Sequence, residues 1–206
     1  MSQLSFFSAD LTPPRVEDLG GLLAANGQIS RSADGARLSI LLPDEWRAKT
    51  LLREFRVRDV EAEYLPAAEA LSIGLLTEEG TTTGVLLRSS RTHELDALAR
   101  EWTRGAVKSV PSALVAAAGL MRCWTLAAGR HDEAGYLLGL DRHAVDTWEP
   151  LASACARAGL AGALIGPRGG GPALRIVGHR RHARLVELLG TPPPEAPKTA
   201  FPLPEH

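Results

Sequence analysis

Cysteine is almost missing from this chain: there are two, Cys123 and Cys155, in 206 residues. Both stand in apolar, helix-like segments and read as reduced core residues of a cytoplasmic protein, with neither a disulfide framework nor four ligands for a structural zinc. No uninterrupted apolar run approaches the roughly 20 residues of a membrane span. No basic stretch followed by a long apolar core marks a secretory signal. Neither sign of charge dominates: Lys and Arg total 23 against 24 Asp and Glu, a net charge of −1. Any contact with nucleic acid must therefore come from local patches. Nucleotide and nucleophile motifs are missing too. "GPRGGGP" leads into a strand and lacks the Gly-Lys-Ser/Thr ending of a phosphate loop, and no motif organises Ser, His and Asp for covalent catalysis. Nothing implies a cofactor.

What is present suits a globular protein of one domain or two small lobes: 45% hydrophobic and 23% charged residues. Residues 1–13, cut off by Pro13-Pro14, read as a flexible segment. "TPPPEAPKTAFPLPEH", residues 191–206, has no hydrophobic periodicity and reads as a disordered tail. Between these ends one order of elements runs twice. In the first half, 14–104, a helix over 14–26 ends at Gly27, and two strands, 28–32 and 36–42, follow around the turn signal "ADG". Asp44 then starts a helix burying Trp46, Leu51, Leu52 and Phe55. "DVEAEYL" and "TGVLLRSS" are strands separated by a long polar-tipped connection, and Thr92 caps a closing helix. In the second half, 105–190, a helix over 112–128 ends at Gly129. Short "RHDE" and "AGYLLGL" pair, a helix covers 144–158, "AGALIG" and "ALRIVG" form a hairpin, and 181–189 closes as a helix before Gly190.

The stretch "LGGLLAANG", Leu19 to Gly27, resembles the nine-letter signature of the LAGLIDADG homing endonucleases, with Asn26 at the metal-binding aspartate. The linker "TRGAVKSVPSAL", the following "MRCWTLAAGRHDEAGYLLGL" and "LASACARAGLAGALIGPRGGGPALRIVGHRRHARLVELLG" are similar to the N-terminal region of the WhiA family, bacterial sporulation regulators. The resemblance covers roughly residues 14 to 190, without the helix-turn-helix by which WhiA recognises most of its DNA. It implies an α+β fold: a duplicated LAGLIDADG-like domain of two pseudo-twofold αββαββα halves with mixed or antiparallel sheets.

That resemblance also states what nuclease chemistry needs, one carboxylate at the end of each central helix, each holding a divalent metal. Asn26 and Ala128 stand there instead, neutral groups that are poor ligands or none. The expectation is a protein without catalytic residues or metal. His131, Asp132 and Glu133 read as a solvated turn, their alternative being substitute acids. His179 and His182 are spaced to share a metal, but no third ligand is evident and Arg180, Arg181 and Arg184 would repel a cation.

In a LAGLIDADG saddle one sheet face meets DNA. Strand alternation puts Arg37 and Ser39, Arg88 and Ser90, and Arg175 on it, with Lys108, Arg168, Arg180, Arg181 and Arg184 around the edge for phosphates. Such contacts predict weak, salt-sensitive, mostly sequence-independent binding to the DNA backbone. Tyr136, Leu138 and Leu140 are expected to make the second half's face apolar, which suits a protein partner or a homodimer. Finally, "QLSFF" is similar to the bacterial sliding-clamp-binding pentapeptide, with Gln3, Leu4, Phe6 and Phe7 as its contacts. A tether of that kind would make weak DNA contacts effectively intramolecular. The sequence thus points to a cytoplasmic, non-catalytic, DNA-associated protein of replication, repair or regulation. The alternative is a protein-interaction module on the same scaffold without DNA binding.

Overall fold

The computed structural model describes residues 8–76, 83–168 and 170–203. After a 3-10 turn at Val16–Leu19 come α1 (Gly20–Ala24), β1 (Gln28–Ser32), β2 (Gly35–Leu42), α2 (Glu45–Arg56), β3 (Ala62–Pro66), α3 (Ala67–Ser72) and β4 (Val85–Ser89). A second 3-10 turn, His93–Leu95, leads into α4 (Asp96–Trp102), and the side chain of Thr92 caps it by accepting from the Glu94 N–H. A small hairpin, β5 (Thr103–Arg104) with β6 (Val107–Lys108), links the halves. Then follow α5 (Ala118–Ala128), β7 (Gly129–Asp132), β8 (Gly135–Gly139), α6 (Trp148–Arg157), β9 (Ala163–Ile165), β10 (Ala173–Ile176) and α7 (His179–Leu189). The repeated order of helix, two strands, helix, two strands, helix is the expected duplicated α+β architecture.

Each half folds its strands into an antiparallel sheet, in the order β1-β2-β4-β3 and β7-β8-β10-β9. Alternation decides the faces. Leu38, Ile40 and Leu42 of β2 are buried, while Arg37, Ser39 and Leu41 are only half-buried, so β2 presents one face to the core. One contiguous apolar cluster lines that face in both halves. Helices α2 and α4 cover the first sheet, and α5 and α6 contact the second.

At the centre α1 packs on α5. A Cβ on Gly21, third in the LAGLIDADG-like stretch, would lie 2.2 Å from the Leu120 carbonyl oxygen and 2.5 Å from the Trp124 nitrogen. Only glycine permits that backbone approach. The helix-ending glycines are equally constrained: a Cβ on Gly27 would meet the Leu22 carbonyl at 2.4 Å, and one on Gly129 the Thr125 carbonyl at 2.6 Å. Away from the sheets, Arg58 pairs with Asp18 and Glu54 at 2.8 Å each, and Arg122 with Glu54 at 2.9 Å, tying the start of the first half to α2 and α5.

Several expectations need correction. The second central helix begins at Ala118, not near 112, because Ala117 is extended (φ −71°, ψ 162°). The long connection after β3 contains α3, where Ala67 and Ala70 find a buried face. Tyr136, Leu138 and Leu140 do not form an outer apolar surface: they are buried in the core. Register places Tyr136 opposite Ile176 and Leu138 opposite Leu174, so the strand's parity is the reverse of the one expected.

The proline-rich stretch, expected to be disordered, is docked from 191 to 203. Phe201 is 1% exposed, and the carbonyls of Thr191, Thr199 and Ala200 accept from the Arg122 guanidinium, the His131 N–H and the Tyr136 hydroxyl. Glu195 is ion-paired with Arg53 of α2. Composition misleads here because proline has little conformational freedom to lose on ordering, so one well-placed phenylalanine and a few carbonyls suffice.

Candidate nucleic-acid interface

Asn26 lies in the turn two residues past α1 and Ala128 is the last residue of α5, and a buried cation closes each helix end. At α1, Lys108 donates to the Ala25 carbonyl (3.2 Å) and to Oδ2 of Asp141 (2.6 Å). Asp141 also accepts from the Gln28 amide at 3.0 Å and from the His143 N–H at 2.9 Å. Lys108 was expected at the edge of the interface. Its side chain is only 9% exposed, because Asp141 and a helix-end carbonyl hold it inside. Burial lowers its pKa against the pull of Asp141. Burial in turn raises Asp141, but the bonds from Lys108, His143 and Gln28 outweigh it and hold the carboxyl below its ordinary range.

At α5 the cation is Arg47, 5% exposed, whose guanidinium donates to the carbonyls of Leu126 (2.8 Å), Gly129 (2.7 Å) and Thr125 (3.3 Å). It stacks over Trp46 with its Cζ 4.7 Å from the ring centroid. Carbonyl oxygens without intrahelical partners, at the negative end of the helix dipole, are the natural seat for a positive charge. Asn26 is exposed and donates to the Leu41 carbonyl at 3.2 Å. Sequence reasoning missed both Arg47 and Asp141. Arg47 had a signal: it shares the helical stripe of Leu51 and Phe55, where a charge needs buried acceptors.

The sheet faces turned away from the helices carry matched rows. Across the first sheet, register aligns Gln28, Ser39, Arg88 and Glu63; across the second, Arg130, Leu137, Arg175 and Ala163. Arg88 and Arg175 are therefore counterparts. The next row pairs Ser30 with Arg37 in the first half and Asp132 with Gly135 in the second. Arg175 is held by Asp132 at 2.6 Å, whereas Arg88 among the described residues has the exposed Glu63 at 3.7 Å. Desolvation raises the Asp132 carboxyl, but bonds from Arg175 and the Ala134 and Gly135 N–H groups outweigh it and leave it below the usual range. Nε of Arg37 is buried and meets no hydrogen-bond partner among the described residues. Burial first, and then Arg88 and Arg91, lower the Arg37 pKa, against an opposing pull from Glu63.

The remaining sequence candidates are scattered. Arg168 is exposed in the β9–β10 connection. Arg180, Arg181 and Arg184 lie on α7, which packs on α5 in the helix layer, and Arg184 bonds Glu187 at 2.6 Å. His131 packs edge-on against Tyr136 and near His182, and no group of three or more His, Cys, Asp or Glu fit to hold a metal occurs among the described residues. Gln3, Leu4, Phe6 and Phe7 lie outside those residues.

Among solved structures, the chain matches the homing endonuclease I-WcaI bound to its DNA recognition sequence. The match has a TM-score of 0.56 at 13% identity, covering 92% of this chain and 83% of that one. The fold is that of the LAGLIDADG homing endonucleases. No protein-family model matches the chain, and no curated protein does. On this LAGLIDADG fold Asn26 and Ala128 end the two central helices, and the arginine rows lie on the sheet faces beside them. No helix among the described residues is long and apolar enough to cross a membrane.

Proposed function

We propose that this chain is a DNA-associated protein that holds a duplex through its phosphates and does not cut it. The observation that carries the reading is the closure of both central helix ends. No carboxylate stands at Asn26 or Ala128, the nearby Asp141 is engaged by Lys108, and a second buried cation, Arg47, sits on the α5 carbonyls. An additional divalent cation there would face an ammonium or a guanidinium in place of anionic ligands. The half-buried Arg37, Arg88 and Arg175 remain on the faces beside these ends and supply charge for backbone contacts.

Incubation with plasmid and with short duplexes in Mg²⁺ or Mn²⁺ is expected to give no cleavage. Duplex should be retained at low salt and released as salt rises. Metal-dependent nicking that disappears on Asp132→Ala, Glu133→Ala or Asp141→Ala would overturn the non-catalytic reading. Failure to retain DNA at any salt would leave a protein-interaction module on the same scaffold.

The sequence resemblance to WhiA supports a role in the bacterial cytoplasm, in replication, repair or transcription regulation. The pentapeptide Gln3–Phe7 adds a tether to the sliding clamp, supported by its sequence alone. Phe6→Ala with Phe7→Ala should abolish clamp binding while leaving the melting temperature nearly unchanged.

A further inference from the structure

The two halves are pseudo-symmetric in backbone but not in charge. The β2–β4 register pairs Ser39 with Arg88, whereas an isolated bridge pairs Ala36 with Thr92. Three steps along β2 thus answer four along its partner, so a β-bulge lies between Ser89 and Thr92. The bulge is visible in the bonding: the Leu38 N–H donates to the Ser89 hydroxyl at 3.1 Å. Arg91 sits in this bulge, exposed, with Nη1 3.3 Å from the Gly35 carbonyl. Arg37, on the face beside it, has its buried Nε unpaired among the described residues, and Arg88 lies in the adjoining row. Among the described residues, the carboxylate paired with this group is the exposed Glu63. The second half has Gly135 where Arg37 stands and Asp132 where Ser30 stands, and Asp132 engages the counterpart arginine, Arg175.

We propose that Arg37, Arg88 and the bulge residue Arg91 form an oxyanion site that takes a phosphoryl group of a nucleic-acid strand, so that DNA is anchored mainly by the first half. Three forked donors at neighbouring positions of one sheet suit the tetrahedral oxygens of a phosphate. The anion would also restore the balance that a single carboxylate leaves incomplete. In the second half the same face carries Arg130 and Arg175, whose Nε is likewise buried and unpaired among the described residues, but Asp132 engages Arg175 at 2.6 Å and the Gly170 carbonyl accepts from Arg130, so that face contributes less. This deepens the DNA-associated reading and rests on it for the source of the phosphate. The anion chemistry itself can be read separately.

Two measurements on the full chain test it. Inorganic pyrophosphate is expected to raise the melting temperature of the wild type and to leave that of Arg37→Gln with Arg88→Gln unchanged. Fluorescence anisotropy with a short duplex is expected to show roughly tenfold weaker binding for Arg37→Gln and for Arg88→Gln. Arg91→Gln, at an exposed position, should lower the slope of log affinity against log salt by about 1. Arg175→Gln should cost clearly less than Arg88→Gln. Equal losses at Arg88 and Arg175, or a pyrophosphate shift that persists without Arg37 and Arg88 or is missing from the wild type, would overturn the proposal. A pyrophosphate shift that depends on Arg37 and Arg88, without duplex retention, would keep the anion site and remove the DNA reading. Duplex retention indifferent to all three arginines would do the reverse.

Discussion

Replacing Arg47 with methionine tests the idea that the cation at the end of α5 stabilises this fold. Methionine keeps most of the stem's volume and flexibility, so packing changes little. What disappears is a guanidinium with bonds of 2.8 Å to Leu126 and 2.7 Å to Gly129, plus a longer one to Thr125. Each buried carbonyl left without a donor costs about 1–3 kcal/mol. Against that, the substitution removes a buried charge whose desolvation costs several kcal/mol, and buried ion pairs replaced by apolar groups are often neutral. Here two strong carbonyl partners and the helix dipole act together, so the net loss should be about 2–4 kcal/mol. For a chain of this size that is a fall in Tm of roughly 5–15 °C. Urea denaturation at neutral pH, with the m-value unchanged, measures it directly. Asp44→Asn is the control: Asp44 is half exposed and, among the described residues, bonds Nε of Arg47, so it should change stability by less than about 0.5 kcal/mol. An Arg47→Met variant as stable as the wild type would refute the reasoning. The guanidinium would then be a tolerated burial and not a keystone.

Gly21→Ala should be severely destabilising, because its Cβ would stand 2.2 Å from the Leu120 oxygen; a variant with wild-type thermal stability would deny the α1–α5 contact. Phe201→Ala should cost roughly 3 kcal/mol, the lower range for a buried phenylalanine, and removal of residues 191–206 should cost at least as much. A truncated chain that melts like the intact one would show the strap to be passive. Cys123 and Cys155 are buried, and burial pushes both thiols up to about 12, so neither should react with a thiol reagent below denaturing urea. Rapid labelling of either in the native protein would contradict the packing.

Most of the architecture was legible because it rests on short-range signals. The hairpin turn before Gly35, the Thr92 cap and the glycines after the central helices each act over a few residues, and the repeat of their order revealed the duplication. What was hidden depends on distant partners. Lys108 looked like a surface cation because nothing local announces Asp141, 33 positions away, as its counter-ion. The Pro-rich strap looked disordered because its acceptors serve Arg122, His131 and Tyr136, which periodicity cannot reach. The parity of Tyr136 and Leu138 was misjudged because β8 has hydrophobic residues on both faces: Leu137 is buried too, between Arg130 and Arg175 in the register. Strand alternation speaks only when one face is polar.

The seam at Gly21 settles what kind of object the duplicated chain is. Neither half owns a finished core: α1 and α5 complete each other, and Arg47 of the first half closes a helix of the second. The two halves touch as intimately as an obligate dimer, except that the chain itself is the tether. Cutting that tether at Gly105, in the turn of the linking hairpin with φ +63°, would turn an internal contact into an encounter between molecules. Stability would then acquire a concentration, and each fragment alone would have half a seam and nothing to close it.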